Sequence, residues 1–196
     1  MTSEADALLP PYQGLAMQRV HMVRSSADAA AALAALSRMD AVGFDTESKP
    51  TFVKGEVSSG PHLVQLATDE CAFLFQIGAP GEREAYALVL KSVLESTTIL
   101  KVGFGLADDV KRLRSKLGID IANVLDLATA LRTAGQRNTL GAKTAVARFF
   151  GQHLQKSKKI TTTNWAMPRL SDKQIQYAAD DAHVALRIYR HWRAGA

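Results

Sequence analysis

The chain has 196 residues, a length that fits one domain with a sizeable core. With 47% hydrophobic and 22% charged residues, it reads as a globular protein, which excludes a fibrous or disordered chain. A formal charge of +5 favours a polyanionic partner, and a single cysteine, Cys71, excludes an intrachain disulfide or a thiolate zinc site.

The first residues carry neither the basic region nor the apolar run of a signal peptide. The longest apolar stretch, at 29–36, is too short to span a bilayer. A cytoplasmic protein without a membrane partner is therefore expected. Residues 1–18, with Pro10, Pro11 and Gly14, read as a loose lead-in, and residues 19–196 as a single domain.

In chain order, a short strand is expected at 20–23 and an alanine-rich helix from Ser25 to about Met39. The run 41–46 reads as a buried strand with a polar end, followed by a loop over 49–61 rich in Gly, Ser, Pro and charge. Strands at 62–67 and 71–77 form a hairpin through Thr68-Asp69-Glu70. A helix over 82–94 and a strand over 98–102 lead into Gly103-Phe104-Gly105. That segment joins the strand to a helix over 106–117, closed by Gly118. A short strand at 123–127 and helices at 139–150 and 172–192 complete the chain, with a basic, threonine-rich loop over 156–168 between the last two. Early hairpin strands followed by alternating helices and strands indicate an α/β layer fold with a mixed sheet.

Asp45 and Glu47 stand two apart at the end of the apolar strand, so their carboxylates share a face. Like charges held together need a neutralising cation, and a hard divalent ion with oxygen ligands suits them. A lone D-x-E is also common at solvated strand ends. On the helix that follows Gly105, the apolar stripe is Leu106, Val110, Leu113 and Leu117. Asp109 lies about 60° from that stripe, whereas Asp108 lies on the far side. On the last helix, Tyr177 and Asp181 share a face, and Asp181 flanks the stripe of Ile175, Ala178, Ala179, Ala182, Leu186 and Tyr189. Asp180 is expected nearly opposite, toward solvent. Alone, each of these two helices also fits an ordinary amphipathic helix. Together they supply the carboxylates from separate elements that two-metal phosphodiester hydrolysis requires.

In this order, the three segments resemble the DEDD superfamily of 3′→5′ exonucleases. The matching residues are Asp45, Glu47, Asp109, Tyr177 and Asp181. Tyr177 marks the tyrosine-type branch, since the position where the other branch carries histidine is Gln176. Longer runs make the chain similar to ribonuclease D and the exonuclease domain of the Werner-syndrome helicase. These are Leu63-Val64-Gln65-Leu66-Ala67, Lys101-Val102-Gly103 with Gly105, and Leu154 and Lys156 followed by Asn164-Trp165 and Tyr177-Ala178-Ala179. The resemblance implies a ribonuclease H-like fold with five or six strands. It also implies two divalent cations, Mg²⁺ or Mn²⁺, and release of nucleoside 5′-monophosphates from a 3′ end. By the same resemblance, Asp45 bridges both ions, Glu47 and Asp181 help hold the water-activating ion, Asp109 serves the other, and Tyr177 orients the attacking water.

Lys156, Lys158 and Lys159 are candidates for phosphate contacts. Trp165 is a candidate for base stacking and Phe104 for a wedge near the terminal nucleotides, with core packing as the alternative for both. The five histidines form no ligand spacing. Two rivals remain at this stage: a non-catalytic nucleic-acid-binding domain on the same fold, and an unrelated metal-dependent phosphatase. The first predicts loss of an acidic ligand, and the second does not account for the ordered motifs. The residues leave open DNA against RNA as substrate, and the oligomeric state.

Overall fold

In this computed structural model, which describes residues 9–51, 59–78, 83–133, 135 and 138–195, six strands form one sheet. They are β1 (Val20–Met22), β2 (Ala41–Glu47), β3 (Leu63–Ala67), β4 (Ala72–Gln76), β5 (Leu100–Gly103) and β6 (Val124–Asp126), in the order β1-β4-β3-β2-β5-β6. β3 pairs antiparallel with both β2 and β4, and the other pairings are parallel. β3 thus runs against the other five strands, and the sheet is mixed as expected. The Thr68 hydroxyl closes the β3–β4 hairpin by accepting from the Cys71 amide at 3.1 Å. The middle part of the loop expected at 49–61 lies outside the described residues.

The helices are α1 (Ser26–Leu36), α2 (Arg83–Leu94), α3 (Ala107–Arg112), α4 (Leu127–Ala130), α5 (Ala142–Phe150), α6 (Lys158–Thr161) and α7 (Asp172–Ala194). Capping boxes start the two that frame the sheet, Ser25 with Asp28 for α1 and Ser171 with Gln174 for α7. On one face of the sheet, Leu36, Leu90 and Leu94 pack against Val42, Phe44, Leu66 and Phe75, with Leu106 and Leu113 completing the cluster. On the other face lies α7. Its Ala178, Ala179 and Ala182 meet Leu63, Ala67 and Leu74, and its Val184, Ala185 and Leu186 meet Ala41 and Val102.

Small residues let α7 lie almost on the strand backbone. A Cβ built on Gly43 would stand 1.9 Å from the Ala182 carbonyl oxygen, so only glycine fits there. Among the described residues no helix is long and apolar enough to cross a membrane.

Three local expectations need correction. The helix expected over 106–117 changes pitch: α3 ends at Arg112 and a π turn, Leu113–Leu117, carries the chain to Gly118 at φ 64°. Two four-residue helices depart from expectation: α4 begins at Leu127, the last residue of the expected strand, and α6 lies within the expected loop, since one turn is too short to show a helical period. The lead-in is tied down over its described part. Tyr12 N donates to the His153 carbonyl at 2.9 Å and His153 N to the Pro10 carbonyl at 2.8 Å. Leu15 N donates to Asp180 Oδ1 at 2.9 Å.

Candidate active site

The alternation of β2 sends Val42 and Phe44 to one face and Gly43, Asp45 and Glu47 to the other, under α7. The close approach at Gly43 and Ala182 places Asp181, one residue before Ala182, over the end of β2. Asp109 comes from α3, whose flanking leucines belong to the opposite core layer. There it accepts a short hydrogen bond from the hydroxyl of Thr46, the residue between the two strand acids. Four carboxylates from three elements thereby gather at the ends of β2 and β5.

Glu47, Asp109 and Asp181 are buried, with relative exposures of 9%, 8% and 7%, and Asp45 retains part of its surface. Burial, then the charges of Asp181 and Asp109, push the Asp45 carboxyl well above its ordinary range. Burial and the neighbouring acids Asp45 and Asp181 push Glu47 up to about 9. Asp109 and Asp181 are also raised, both chiefly by burial. Tyr177 is raised by burial and by Asp181 beside it. Its hydroxyl lies 3.1 Å from Thr161 Oγ1.

Each choice between adjacent aspartates has a structural counterpart. Asp108 is exposed and pairs with Lys111 at 3.7 Å, whereas Asp109 is buried. Asp180 does turn away from the cluster, yet it does not face open solvent as expected. It is half-buried and accepts from Leu15 N and, at 3.0 Å, from Gln176 Nε2. The sequence could not show this, because its partner lies 165 residues away.

The nucleic-acid candidates fare differently. Trp165 is wholly buried among Leu63, Ala67, Ala178 and Ala182, and its indole N–H reaches the Thr161 carbonyl at 3.4 Å. It has no face to offer a base, and its place is in the core. Lys156 turns inward, with its ammonium 2.9 Å from Asp181 Oδ1 and 5.7 Å from the centre of the Tyr177 ring. Lys159 is exposed, while the Lys158 side chain lies outside the described residues. Phe104 is half-buried against the α5–α7 core layer.

One positioning group, Asp126, and one buried amide, Gln65, stand by the site beyond the expected residues. Asp126 accepts from Gly105 N at 2.9 Å and Leu106 N at 3.2 Å, fixing the turn that presents α3. It also caps α4 through Ala128 N at 2.9 Å. An aspartate directly before Leu-Ala-Thr-Ala is a cap signal that could have revealed it. Gln65, opposite Asp45 in the β2–β3 register, is fully buried, and its amide has no protein partner among the described residues. Side-chain alternation puts it on the same face as Asp45.

The chemistry of the donors fits a hard divalent cation. All are oxygens, they carry an excess of negative charge, and burial penalises that charge until a cation compensates it. Among the described residues, however, no three Asp, Glu, His or Cys side chains converge on one point as a formed ion site. Lys156 engages Asp181, and Thr46 engages Asp109.

Fold and cluster define a class: mixed-sheet α/β domains with carboxylates from several elements at the ends of the central strands. The chain belongs to the 3′-5′ exonuclease family, whose model matches residues 20–193. It is 30% identical to a 3′-5′ exonuclease of Arabidopsis thaliana over 76% of this chain and 51% of that one. It is also 31% identical to a mouse bifunctional 3′-5′ exonuclease/ATP-dependent helicase, over 79% of this chain and 11% of the relative. The chain thus spans about half the length of the first relative and a small part of the second. Among solved structures it superposes on the Nibbler EXO domain of Aedes aegypti with a TM-score of 0.74 and 26% identity, covering 92% of this chain and 90% of that one. The fold is ribonuclease H-like.

Proposed function

We propose that this chain is a 3′→5′ exonuclease that removes nucleoside 5′-monophosphates from the 3′ end of a nucleic acid with two divalent cations, Mg²⁺ or Mn²⁺. The observation that supports this best is that Asp45, Glu47, Asp109 and Asp181 lie close enough to feel one another's charge, with Tyr177 beside Asp181, in a chain of this family. Asp45, Glu47 and Asp181 would hold the cation on the water side, and Asp45 with Asp109 the cation on the leaving-oxygen side. When bound, such a pair lowers the pKa of water and neutralises charge on the departing oxygen.

The protein's own part is positional. Burial makes each carboxylate a poor isolated anion and hence an eager cation ligand. The Tyr177 hydroxyl, 3.1 Å from Thr161 Oγ1 and close to the charge of Asp181, would orient an attacking water. Lys159, exposed on α6, is a candidate for phosphate contact.

The test is digestion of matched single-stranded DNA and RNA, labelled at the 5′ end, with Mn²⁺. A ladder of successively shorter labelled products is expected. Undiminished cleavage in excess chelator, or cuts in a circular strand, would overturn the reading. The same experiment ranks the two polymers as substrates.

A further inference from the structure

We infer that Lys156 is a built-in counter-ion of the acidic cluster, and that its ammonium must leave Asp181 before a divalent cation can occupy that carboxylate. This rests on the proposed reading of the cluster as a cation site. The sequence places Lys156 in a basic loop, where phosphate contact is its default role. The structure turns it the other way. Its side chain is 28% exposed, and the Asp181 side chain that it meets at 2.9 Å is 5% exposed. The charge of Lys156 also opposes the upward shifts of Asp45 and Glu47, so it acts on three of the four carboxylates. Its ammonium lies over the Tyr177 ring as well.

The segment that carries Lys156 is anchored on both sides. Leu154 is buried in the α5–α7 layer, the Lys156 amide donates to the Leu154 carbonyl at 3.0 Å, and α6 begins two residues later. The long side chain can therefore swing without moving the backbone. An ammonium in hydrogen-bond contact with Asp181 and a cation bonded to the same carboxylate at about 2.0–2.6 Å would be like charges in contact. They exclude one another. Lys156 thereby sets a threshold on metal loading.

The experiment is direct titration of Mn²⁺, followed by the paramagnetic resonance of free Mn²⁺, into the wild-type chain and the Lys156→Gln and Lys156→Arg variants. Far-ultraviolet circular dichroism confirms that each is folded. Lys156→Gln should bind Mn²⁺ on the order of tenfold more tightly, the weight of one partly buried charge pair. Lys156→Arg, which keeps the charge, should not bind more tightly than wild type. Unchanged or weaker binding by Lys156→Gln, with wild type still binding Mn²⁺, overturns the counter-ion role. Equal tightening in both variants overturns it too, since charge would then not be the cause. If neither wild type nor Lys156→Gln binds Mn²⁺, the cation reading of the cluster falls, and this inference with it. Should Lys156→Gln fail to fold, Lys156→Met supplies the uncharged arm.

Discussion

Adjacent aspartates test residue roles most sharply, because composition and local charge barely change between them. Asp109 is buried and bonded to Thr46, whereas Asp108 is exposed beside Lys111. Asp109→Asn and Asp181→Asn should each lower kcat at least about a hundredfold, since a lost ligand removes several kcal/mol of transition-state stabilisation. Asp108→Asn should leave kcat within about twofold, as exposed ion pairs contribute little. Steady-state kinetics on a labelled oligonucleotide decides this, and a more sensitive Asp108 would refute the assignment. The cluster also has a pH signature. Glu47 is raised to about 9 from an ordinary value near 4.5, so between those values the metal-free folded state binds more protons than the unfolded chain. Stability then falls as pH rises through that window. Melting temperatures in chelator should drop from pH 5 to pH 9, and Mn²⁺ should reduce the drop because a cation replaces the protons. A flat or rising profile in chelator would contradict the upward shifts. Asp45→Asn should leave the chain folded and melt no lower than wild type in chelator, because it removes one of the repelling charges.

Among the elements, β2 and α7 form the site by touching. Gly43→Ala would put a methyl group into the Ala182 carbonyl. It should cost about 1–3 kcal/mol or more of stability and lift Asp181 away from Asp45, so that activity falls with the fold otherwise intact. Denaturant unfolding together with Mn²⁺ affinity would check this, and wild-type values for both would show that helix and strand are not in close contact. These two elements were also the most legible in the sequence. Period-two alternation assigned Asp45 and Glu47 to one face, and the alanine stripe of α7 assigned its buried side. Each is a short-range pattern that burial enforces along one element. What could not be read depends on contacts between distant segments. Trp165 sits among lysines and threonines, which mark a solvated loop, yet the cavity between β3 and α7 takes its ring. Lys156 looks identical in sequence to its exposed neighbour Lys159, and only the position of Asp181 distinguishes them.

At the scale of the whole molecule, the N-terminal and C-terminal parts of the chain are joined through Asp180. The carboxylate accepts from Leu15 N and Gln176 Nε2, and Gln176 Nε2 also donates to the Leu15 carbonyl at 2.8 Å. Gly14 lies so close that a Cβ there would stand 2.1 Å from Asp180 Oδ1. Ahead of this point, the Tyr12 ring stacks with Phe150 at 6.1 Å, and Arg187 of α7 lies over both rings. Together with residues of α7 and of the segment that carries Lys156, the lead-in walls a cleft of about 470 Å³ that reaches Tyr177 and Asp181. The lead-in is therefore part of the domain's structure, and Asp180 is its clasp. Asp180→Ala removes the acceptor from a backbone N–H and a side-chain amide, a loss of about 1–3 kcal/mol. The effect should be local. The lead-in should become open to protease within residues 9–16, and the melting temperature should fall. Mn²⁺ affinity should stay at the wild-type value, because Asp180 faces away from the carboxylate cluster. Limited proteolysis with mass analysis of the fragments, alongside Mn²⁺ titration, separates this from a ligand role. Protection of the lead-in in the variant would refute the clasp, and a loss of Mn²⁺ affinity with the lead-in still protected would move Asp180 into the cation site.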